Sequence, residues 1–386
     1  MRCAVLCLLS LLWAGVAFAQ VQESLRIYVG TYTEGTASRG VYTARFDPDA
    51  GTLLPPELAF ESPNPSFLAF HPNGKVVYAV AELSEFEGRA GGGLVAWTIE
   101  ADGRPGQRID QENSQGTAPC HLAVHPNGRG LIVANYGTGT VSVYRIADDG
   151  ALAPIPSLFR PESGSGVNPR RQEGPHAHCV RFEPLGRLVL EADLGADRVH
   201  VLRFDPDDPD APLGLVHQTD TAPGAGPRHL AFHPSGRFVY VNNELNSTIT
   251  AYRFDAASGT LDEIETESTL PPGGHPGNST AETVVHPSGR FVYVSNRGHD
   301  SIACFEIDPD SGALTPRGQT KTGGKTPRNF TIDPSGRWLL AANQSSDSLT
   351  LFAIDPDTGA LRSHGEPVSI PAPVCIVFLP TQGRGG

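Results

Sequence analysis

The residues best suited to catalysis in this sequence are arginines, a glutamate and two histidines that lie far apart along the chain. Arg228 and Arg328 follow Gly-Pro and Thr-Pro, whereas Glu244 and Arg297 each follow an apolar run that ends in asparagine. Guanidinium groups bind carboxylates and phosphates through paired hydrogen bonds, and they stabilise developing oxyanions. A site built from these residues would suit an anionic substrate or a reaction that passes through an oxyanion.

The two histidines lie in the segment Gly174-Pro175-His176-Ala177-His178. Imidazole accepts and returns a proton readily near neutral pH. Glu191 and Asp193 follow on the next predicted strand, so we expect His176 or His178 to act as an acid or base, and the residues alone leave both open. The sequence contains no Ser-His-Asp elbow, phosphate-binding glycine loop, dinucleotide fingerprint or cysteine-based site.

An internal repeat must position these residues. A turn tetrapeptide of His, Glu or Asp, then Pro, any residue and Gly, recurs roughly every fifty residues. Each copy lies between a short apolar strand and an alternating one, and two further strands complete the unit. Four short strands in a unit of this length are typical of a β-propeller blade. The six copies are His71–Gly74, His125–Gly128, Glu183–Gly186, His233–Gly236, His286–Gly289 and Asp333–Gly336.

The two ends of the chain supply a seventh unit. Residues Ile27–Tyr32 match a second strand with no first strand before it, and Pro373–Pro380 match a first strand with no second strand after it. Pairing the two halves would complete a blade and remove the exposed edges of an open sheet. We therefore predict an all-β fold in which residues 20–386 form a single domain. This domain is a seven-bladed β-propeller, its ring closed by N-terminal strands pairing with a C-terminal strand.

The turn register predicts where side chains from different blades meet. The first and second strands of a blade pair antiparallel across the turn, and positions are counted here from the first residue of the turn tetrapeptide. The residue five positions before it then lies opposite the residues ten and eleven positions after it. All three positions lie at the end of the channel away from the turns, here called the rim. The residue ten after the turn is usually Asn, which is typical of a repeated turn hydrogen bond. The residue eleven after varies from blade to blade, as an asymmetric ligand would require. This variable position holds Glu82, Tyr136, Leu194, Glu244, Arg297 and Gln344.

The candidate residues follow from this register. We assign catalysis to Arg228, Glu244, Arg297 and the pair His176 and His178. A salt bridge between adjacent blades is the alternative explanation for Glu244 and Arg297. We predict no metal site and no cofactor. A second set on the same rim is assigned to substrate binding, namely Arg328, Asn243, Asn296, His275 and Glu282.

Composition limits the partners and the location. The chain has 42 Asp and Glu against 29 Lys and Arg, with no basic run, which argues against nucleic acid or an anionic membrane as a partner. Residues 1–19 form a basic start, a short apolar stretch and Ala17-Phe18-Ala19, the pattern of a cleaved secretory signal peptide. We expect a periplasmic or secreted monomer that is free of the membrane after cleavage.

Several of these segments together resemble the seven-bladed propeller lactonase family, which includes bacterial 6-phosphogluconolactonases and fungal carboxymuconate lactonizing enzymes. The resemblance covers essentially the whole mature chain. It implies a metal-independent site of one His, two Arg and one Glu at a channel mouth, which would fall on Arg228, Glu244, Arg297 and either His176 or His178. The segments that carry it are Gly174–His178, Gly226–Gly236, Val241–Leu245 and Val294–Arg297.

The resulting hypothesis is an exported lactonase that hydrolyses a sugar lactone, either phosphorylated or unphosphorylated. Arg228 and Arg297 would hold an anionic group or the oxyanion, while Glu244 or a histidine would activate water and protonate the leaving alkoxide. One alternative is cyclisation of an unsaturated dicarboxylate by the same residues. Another is a non-catalytic propeller that binds sugars or proteins at the rim. Calcium-dependent hydrolysis is a further alternative, although the arginines oppose a divalent cation.

Overall fold

The strands follow the predicted repeat. The computed structural model describes residues 24–208 and 212–380, so the predicted signal peptide, residues 1–19, and the outer limits of the predicted domain lie outside the described residues. The first two blades draw on β1 Leu25–Thr31, β2 Gly40–Asp47, β3 Thr52–Leu53, β4 Glu57–Glu61, β5 Leu68–Phe70, β6 Val76–Ala81, β7 Glu85–Phe86, β8 Arg89–Ala90, β9 Gly93–Ile99 and β10 Pro105–Asn113.

Blades three to five each use four consecutive strands. The third blade contains β11 Pro119–Val124, β12 Gly130–Asn135, β13 Thr140–Ile146 and β14 Leu152–Phe159. The fourth contains β15 Ala177–Phe182, β16 Leu188–Asp193, β17 Arg198–Phe204 and β18 Leu213–Asp220. The fifth contains β19 Pro227–Phe232, β20 Phe238–Asn243, β21 Thr248–Asp255 and β22 Thr260–Ser268.

The last two blades lead back to the start of the chain. The sixth contains β23 Ser279–Val285, β24 Phe291–Arg297, β25 Ser301–Ile307 and β26 Leu314–Lys321. The seventh contains β27 Pro327–Ile332, β28 Trp338–Asn343, a one-turn 3₁₀ helix Gln344–Ser346, β29 Ser348–Ile354 and β30 Leu361–Ser369. The final strand, β31 Pro373–Phe378, belongs to the first blade.

The ring closes as the sequence predicts. β31 pairs antiparallel with β1, so that Ile27 lies opposite Phe378, and β2 with β3 and β4 completes this first blade. The innermost strand of each blade packs against that of the next, from β5 through β31 and back to β5. Seven sheets therefore surround a central channel, and the all-β, seven-bladed prediction is confirmed.

The hydrophobic core lies between neighbouring sheets. The middle strands are buried along their whole length because both of their faces are covered by adjacent blades, as in β6, β12 and β20. Outer strands such as β18 alternate towards solvent. The hydroxyls of Tyr78, Tyr240 and Tyr293 each donate to a glycine carbonyl 66 to 72 residues later, in the next blade, which satisfies these buried polar groups.

The repeated turns have a structural role. In the fifth blade, the Nδ1 atom of His233 accepts a hydrogen bond from the Ser235 amide, and its Nε2 atom lies 3.0 Å from the Gly289 carbonyl oxygen of the next turn. Gly236 closes the turn with a positive φ of 70°, which favours glycine at this position. The turns thus link successive blades at one end of the channel, and the opposite end remains for function.

Two further observations concern the chain as a whole. Cys120, Cys179, Cys304 and Cys375 are buried and free, in line with the wide spacing of the cysteines in the sequence. Within residues 24–208 and 212–380, no helix has the length and apolar character needed to cross a membrane.

Candidate active site

Irregular pairing in the innermost strands brings side chains to the rim. The ladder between the first and second strands skips one residue in each of four blades, at the position five before the turn. A bulge of this kind leaves a residue unpaired and redirects its side chain. The skipped residues are Cys120, His178, Arg228 and Arg328, and all four line the channel mouth away from the turns.

These side chains surround a cavity of about 170 Å³, here called the rim cavity. A smaller void beneath it is lined by Arg228 and again by Glu82, Cys120 and Arg328. Side chains from the second to seventh blades therefore meet within one small space. The residues that line the rim cavity are Glu82, Cys120, Tyr136, Arg171, His178, Glu244, Arg297 and Arg328.

Glu244 lies at the centre of an arginine cluster. Its Oε2 atom accepts a hydrogen bond from Nε of Arg228 at 2.8 Å and pairs with Nη2 of Arg297 at 2.9 Å. Its Oε1 atom accepts from Nη2 of Arg171 at 2.7 Å. Burial alone would raise the pKa of Glu244, but the three arginines outweigh burial and hold the pKa far below its usual range. Glu244 is thus a permanent anion that orients guanidinium groups, and it is a poor proton acceptor.

The two histidines of the Gly-Pro-His-Ala-His segment have different surroundings. His178 lines the rim cavity, and its Nδ1 atom lies 3.8 Å from Sγ of Cys120. His176 instead stacks on the Tyr136 ring, and its Nδ1 atom lies 2.9 Å from the Tyr136 carbonyl oxygen. Its Nε2 atom is 3.2 Å from a carboxylate oxygen of Glu173. The geometry therefore separates a histidine facing the cavity from a histidine held in the wall.

His178 is buried among cationic and neutral groups. Burial lowers its pKa well below the usual value, and Arg228, His229 and Arg328 lower it further. The imidazole is consequently neutral at physiological pH and able to accept a proton. A neutral imidazole that faces the cavity is available as a general base, and its lowered pKa makes it a weaker base than a solvated histidine.

Arg328 differs from the other arginines of the cluster. Its guanidinium carbon lies 5.3 Å from the centre of the Tyr32 ring, a cation–π contact. Within residues 24–208 and 212–380, no protein group accepts a hydrogen bond from Arg328, so its donors face the cavity. Tyr32 in turn donates to Oε2 of Glu82 at 2.9 Å. Arg328 is thus positioned by an aromatic face while its N–H groups stay available for a ligand.

The rim cavity carries a surplus of positive charge. Four guanidinium groups, those of Arg171, Arg228, Arg297 and Arg328, meet at most two carboxylates, those of Glu82 and Glu244. Both oxygens of Glu244 are bound to guanidinium groups, which disfavours the calcium site considered from the sequence. The arrangement can bind an anionic group and stabilise an oxyanion beside a neutral imidazole.

Four of the residues assigned to substrate binding do not reach the rim cavity. Asn243 donates to Thr248 and Thr250, and Asn296 bonds to Thr269, so both amides hold turns and strands within the scaffold. His275 is exposed on a loop, where its ring lies 5.5 Å from that of His299.

Glu282 faces the other end of the channel, where it lines a cavity of about 600 Å³ at the end bearing the turns. This second space is called the turn-face cavity below. Glu282 contacts Nδ1 of His229 at 2.9 Å and also accepts from Asn329. Its carboxylate is thus committed to the channel interior between the two mouths.

Sequence reasoning missed four residues of the rim cavity. Glu82 and Tyr136 occupy the variable position eleven after the turn, and Cys120 occupies the position five before it, so the register contained a signal for all three. Arg171 lies in the loop between β14 and β15, which has no counterpart in the other repeats. Its contacts with Glu244 and Tyr136 depend on how that loop folds over the mouth.

Comparison with known proteins agrees with the fold. The family model described as "Lactonase, 7-bladed beta-propeller" matches residues 26–378. The chain is 35% identical over 353 residues to 6-phosphogluconolactonase of Bacillus subtilis, which covers 91% of this chain and 97% of that protein. It is 31% identical over 309 residues to 6-phosphogluconolactonase of Formosa agariphila, covering 79% of this chain and 86% of that protein.

A solved structure shows the same architecture. The periplasmic gluconolactonase of Pseudomonas aeruginosa superposes with a TM-score of 0.86 at 33% identity, over 92% of this chain and 99% of that chain. Fold, repeat number and similarity over nearly the full length agree, and the chain belongs to the seven-bladed β-propeller lactonase family, as a lactone-hydrolysing enzyme similar to the 6-phosphogluconolactonases.

Proposed function

We propose that the rim cavity hydrolyses the lactone of a sugar acid, with 6-phosphogluconolactone and gluconolactone as the leading substrates. The observation that carries this proposal is the meeting of a neutral imidazole, His178, with the unpaired guanidinium donors of Arg328 in one small cavity. The 6-phosphogluconolactonases and the gluconolactonase among the relatives support the same class of substrate.

The reaction follows from these groups. His178 takes a proton from water while the water oxygen bonds to the lactone carbonyl carbon. The carbonyl oxygen becomes an oxyanion, which the guanidinium groups of Arg297 and Arg328 stabilise. Collapse of this intermediate breaks the bond between the carbonyl carbon and the ring oxygen. The imidazolium of His178 then returns its proton to the leaving alkoxide, and the product is the open hydroxy acid.

Glu244 has a positioning role in this scheme. Its low pKa excludes it as the base at neutral pH, in contrast to one of the possibilities raised by the sequence. The carboxylate instead holds Arg171, Arg228 and Arg297 at the mouth. Arginine side chains lose much conformational freedom when ordered, and a preformed cluster removes that cost from substrate binding.

The direct test is hydrolysis of glucono-1,5-lactone and its 6-phosphate by the purified mature protein, with the spontaneous opening of each lactone subtracted. We expect enzymatic hydrolysis of at least one of them, and its loss in His178→Asn. The mature protein assayed with an unsaturated dicarboxylate would reveal the alternative cyclisation. Absence of hydrolysis above the spontaneous rate, for both lactones, would contradict the proposal.

We also propose that the protein works outside the cytoplasm as a monomer. The signal-like segment of residues 1–19 and the periplasmic relative from Pseudomonas aeruginosa support export. Fractionation of cells that express the full chain should place the mature protein in the periplasm or medium, shortened at Ala19. Light scattering of this material should give the mass of one chain, and a cytoplasmic, uncleaved or dimeric protein would contradict these expectations.

A further inference from the structure

The fourth blade buries three ionisable side chains outside the rim cavity. Glu191 and Asp193 lie on β16, and His200 lies opposite Glu191 on β17. None of the three is more than 1% exposed, and one ligand atom from each lies within 4.8 Å of the others. The Oε2 atom of Glu191 is 2.6 Å from Nδ1 of His200. Two carboxylates and an imidazole thus converge inside a protein core.

The other blades show what the scaffold requires at these positions. At the register of Glu191 the second, third, fifth, sixth and seventh blades carry Ala or Val, and opposite it these five blades carry Val, Ser, Thr or Ala where the fourth blade has His200. At the register of Asp193, four of them carry Asn. The equivalent pairs of residues are Ala79 with Val95, Val133 with Ser142, Val241 with Thr250, Val294 with Ala303 and Ala341 with Thr350.

Three coordinated differences therefore set the fourth blade apart. An aliphatic residue is replaced by Glu191, a small residue by His200, and an amide by Asp193. Each difference introduces a side chain of the kind that binds transition metals. A propeller blade folds without any of them, as the other blades demonstrate, so the requirements of the scaffold do not explain this set.

The hydrogen bonds leave part of the cluster unsatisfied. Oδ1 of Asp193 accepts from the amides of His176 and Ala196. Oδ2 of Asp193 and Oε1 of Glu191 are buried and have no hydrogen-bond partner among the described residues. Neither carboxylate forms an ion pair with a described Lys or Arg; Arg198, which lies opposite Asp193 on β17, pairs with Asp220 instead. Unpaired buried carboxylates are costly, and a bound cation would remove that cost.

We propose that Glu191, Asp193 and His200 bind one divalent transition-metal ion of the zinc type inside the fourth blade. The two carboxylates balance the charge of the ion, and neutral His200 supplies a nitrogen ligand. Borderline ions such as Zn²⁺ accept this mixture of nitrogen and oxygen donors. The ion ties β16 to β17, and through Asp193 it holds the amide of His176 in the segment that carries His178. Its role is structural, and it lies outside the rim cavity.

The site is closed to solvent, so the ion enters as the chain folds. The protein should therefore be produced in medium supplemented with zinc, washed with EDTA to remove surface ions, and analysed for metals by plasma mass spectrometry. We expect about one zinc per chain. A wild-type protein without bound metal, from medium containing zinc, manganese and iron, would overturn the proposal. A proton shared between Glu191 and His200 would then explain the cluster.

The other blades supply matched variants. The double variant Glu191→Val and His200→Thr rebuilds the fourth blade with the Val241 and Thr250 pair of the fifth, and Asp193→Asn introduces the amide of that blade. Both should fold and lose the zinc, whereas the control Asp220→Asn on β18, an exposed carboxylate of the same blade, should retain it. Equal zinc in the double variant and the wild type would contradict the assignment.

A measurement on the wild type covers the case in which the variants do not fold. X-ray absorption at the zinc edge should show oxygen ligands with one imidazole and no sulfur. A sulfur shell would place the ion at a cysteine instead and overturn the proposal. Because these measurements do not depend on turnover, they are independent of the lactonase assay.

Discussion

The two mouths of the channel are built from the same innermost strands and differ sharply in chemistry. The turn-face cavity, at about 600 Å³, is more than three times the size of the rim cavity, at about 170 Å³. It is lined largely by apolar side chains, whereas the lining of the rim cavity includes three arginines, two glutamates and His178. Among the apolar residues of the larger cavity are Phe70, Val124, Phe182, Ile332 and Phe378.

The comparison of the two cavities indicates that the candidate active site is identified by its converging charged side chains rather than by its volume. At the turn face, the polar groups of the repeated tetrapeptide form hydrogen bonds within and between blades, as in the case of His233. At the rim, bulges in four of the blades and the variable residues after the turns present side chains that the scaffold does not need. Four aromatic rings lie between the two ends of the channel. Phe67 and His121 line the turn-face cavity, and His178 lines the rim cavity. The ring of His229 contacts all three of these rings.

The largest combined effect on activity and stability should come from Glu244→Gln. Three buried or half-buried guanidinium groups would lose their anion, so we expect activity to fall by a factor on the order of 10²–10³. The free energy of unfolding should fall by about 3–5 kcal/mol, the usual result of breaking a buried ion pair. Steady-state kinetics and urea unfolding measure the two effects.

Glu282→Gln is the matched control for this variant, because Glu282 is equally buried but lies on the turn-face side. It should lose stability while retaining more of the activity. If Glu244→Gln remained fully active, or if Glu282→Gln lost more activity than Glu244→Gln, the contrast between the two mouths would be wrong.

The two histidines test the contrast within the rim itself. His178→Asn should lower kcat by about 10²–10⁴, the usual contribution of a general base. His176→Asn should lower it far less, because His176 lies in the wall against Tyr136. Similar losses of kcat in the two variants would remove the distinction that the cavity draws between them.

The pH dependence follows from the surroundings of His178. The groups that face it are Cys120, Tyr136, Arg228, His229 and Arg328, and together with burial they keep its pKa well below 6.5. A base with a lowered pKa stays deprotonated in mild acid, so the kcat/KM profile should remain flat below pH 6.5. A loss of activity centred near pH 6.5 would show that an ordinary, solvated histidine serves as the base.

A pair of arginine variants compares the mouths directly. Arg328→Gln removes donors that face the rim cavity, and KM for an anionic lactone should rise about ten- to a hundredfold, as expected for one charged hydrogen-bonding group. Arg181→Gln removes a guanidinium from the turn-face cavity and should leave KM unchanged. An increase of KM in Arg181→Gln alone would move the substrate to the larger cavity.

The smallest effect concerns stability in acid. Because the pKa of Glu244 in the folded state lies far below its ordinary value of 4.5, the arginine cluster stabilises the folded state above that pH. This contribution is lost as the pH falls from about 4.5 towards the folded-state pKa. The difference in unfolding free energy between wild type and Glu244→Gln should therefore shrink from pH 7 to pH 3. A constant difference would show that the carboxylate is not the source of the effect.

Much of the fold could be predicted because the repeat is local. The Pro-x-Gly turns and the two half-blades at Ile27–Tyr32 and Pro373–Pro380 carry their own evidence, and the β1–β31 pairing confirms the closure. The register also led to Arg228, Glu244 and Arg297, since residues at the same offset from a turn reach the same height in every blade. Asn243 and Asn296 lie at the same height in their blades, but their side chains form hydrogen bonds within the scaffold instead of facing the rim cavity. The offset of a residue from the turn does not predict this direction of its side chain.

The remaining features of the site depend on contacts between distant segments. Arg171 reaches Glu244 from a loop 73 residues away, and no repeat predicts the path of that loop. The choice between His176 and His178 was left open by their identical types, and the stacking of His176 on Tyr136 distinguishes them. The low pKa of Glu244 likewise appears only when guanidinium groups from the fifth blade, the sixth blade and the loop before β15 surround it.

The sequence by itself thus determined the seven blades, the closing strand pair and the rim on which reactive residues gather, because turn chemistry and strand periodicity act over a few residues. Tertiary structure alone decided which of those residues share a cavity and which of the two histidines faces it. It also brought Glu191, Asp193 and His200 together in the fourth blade. Burial and charge are properties of neighbours in space, and neighbours from different blades are assembled only when the ring closes.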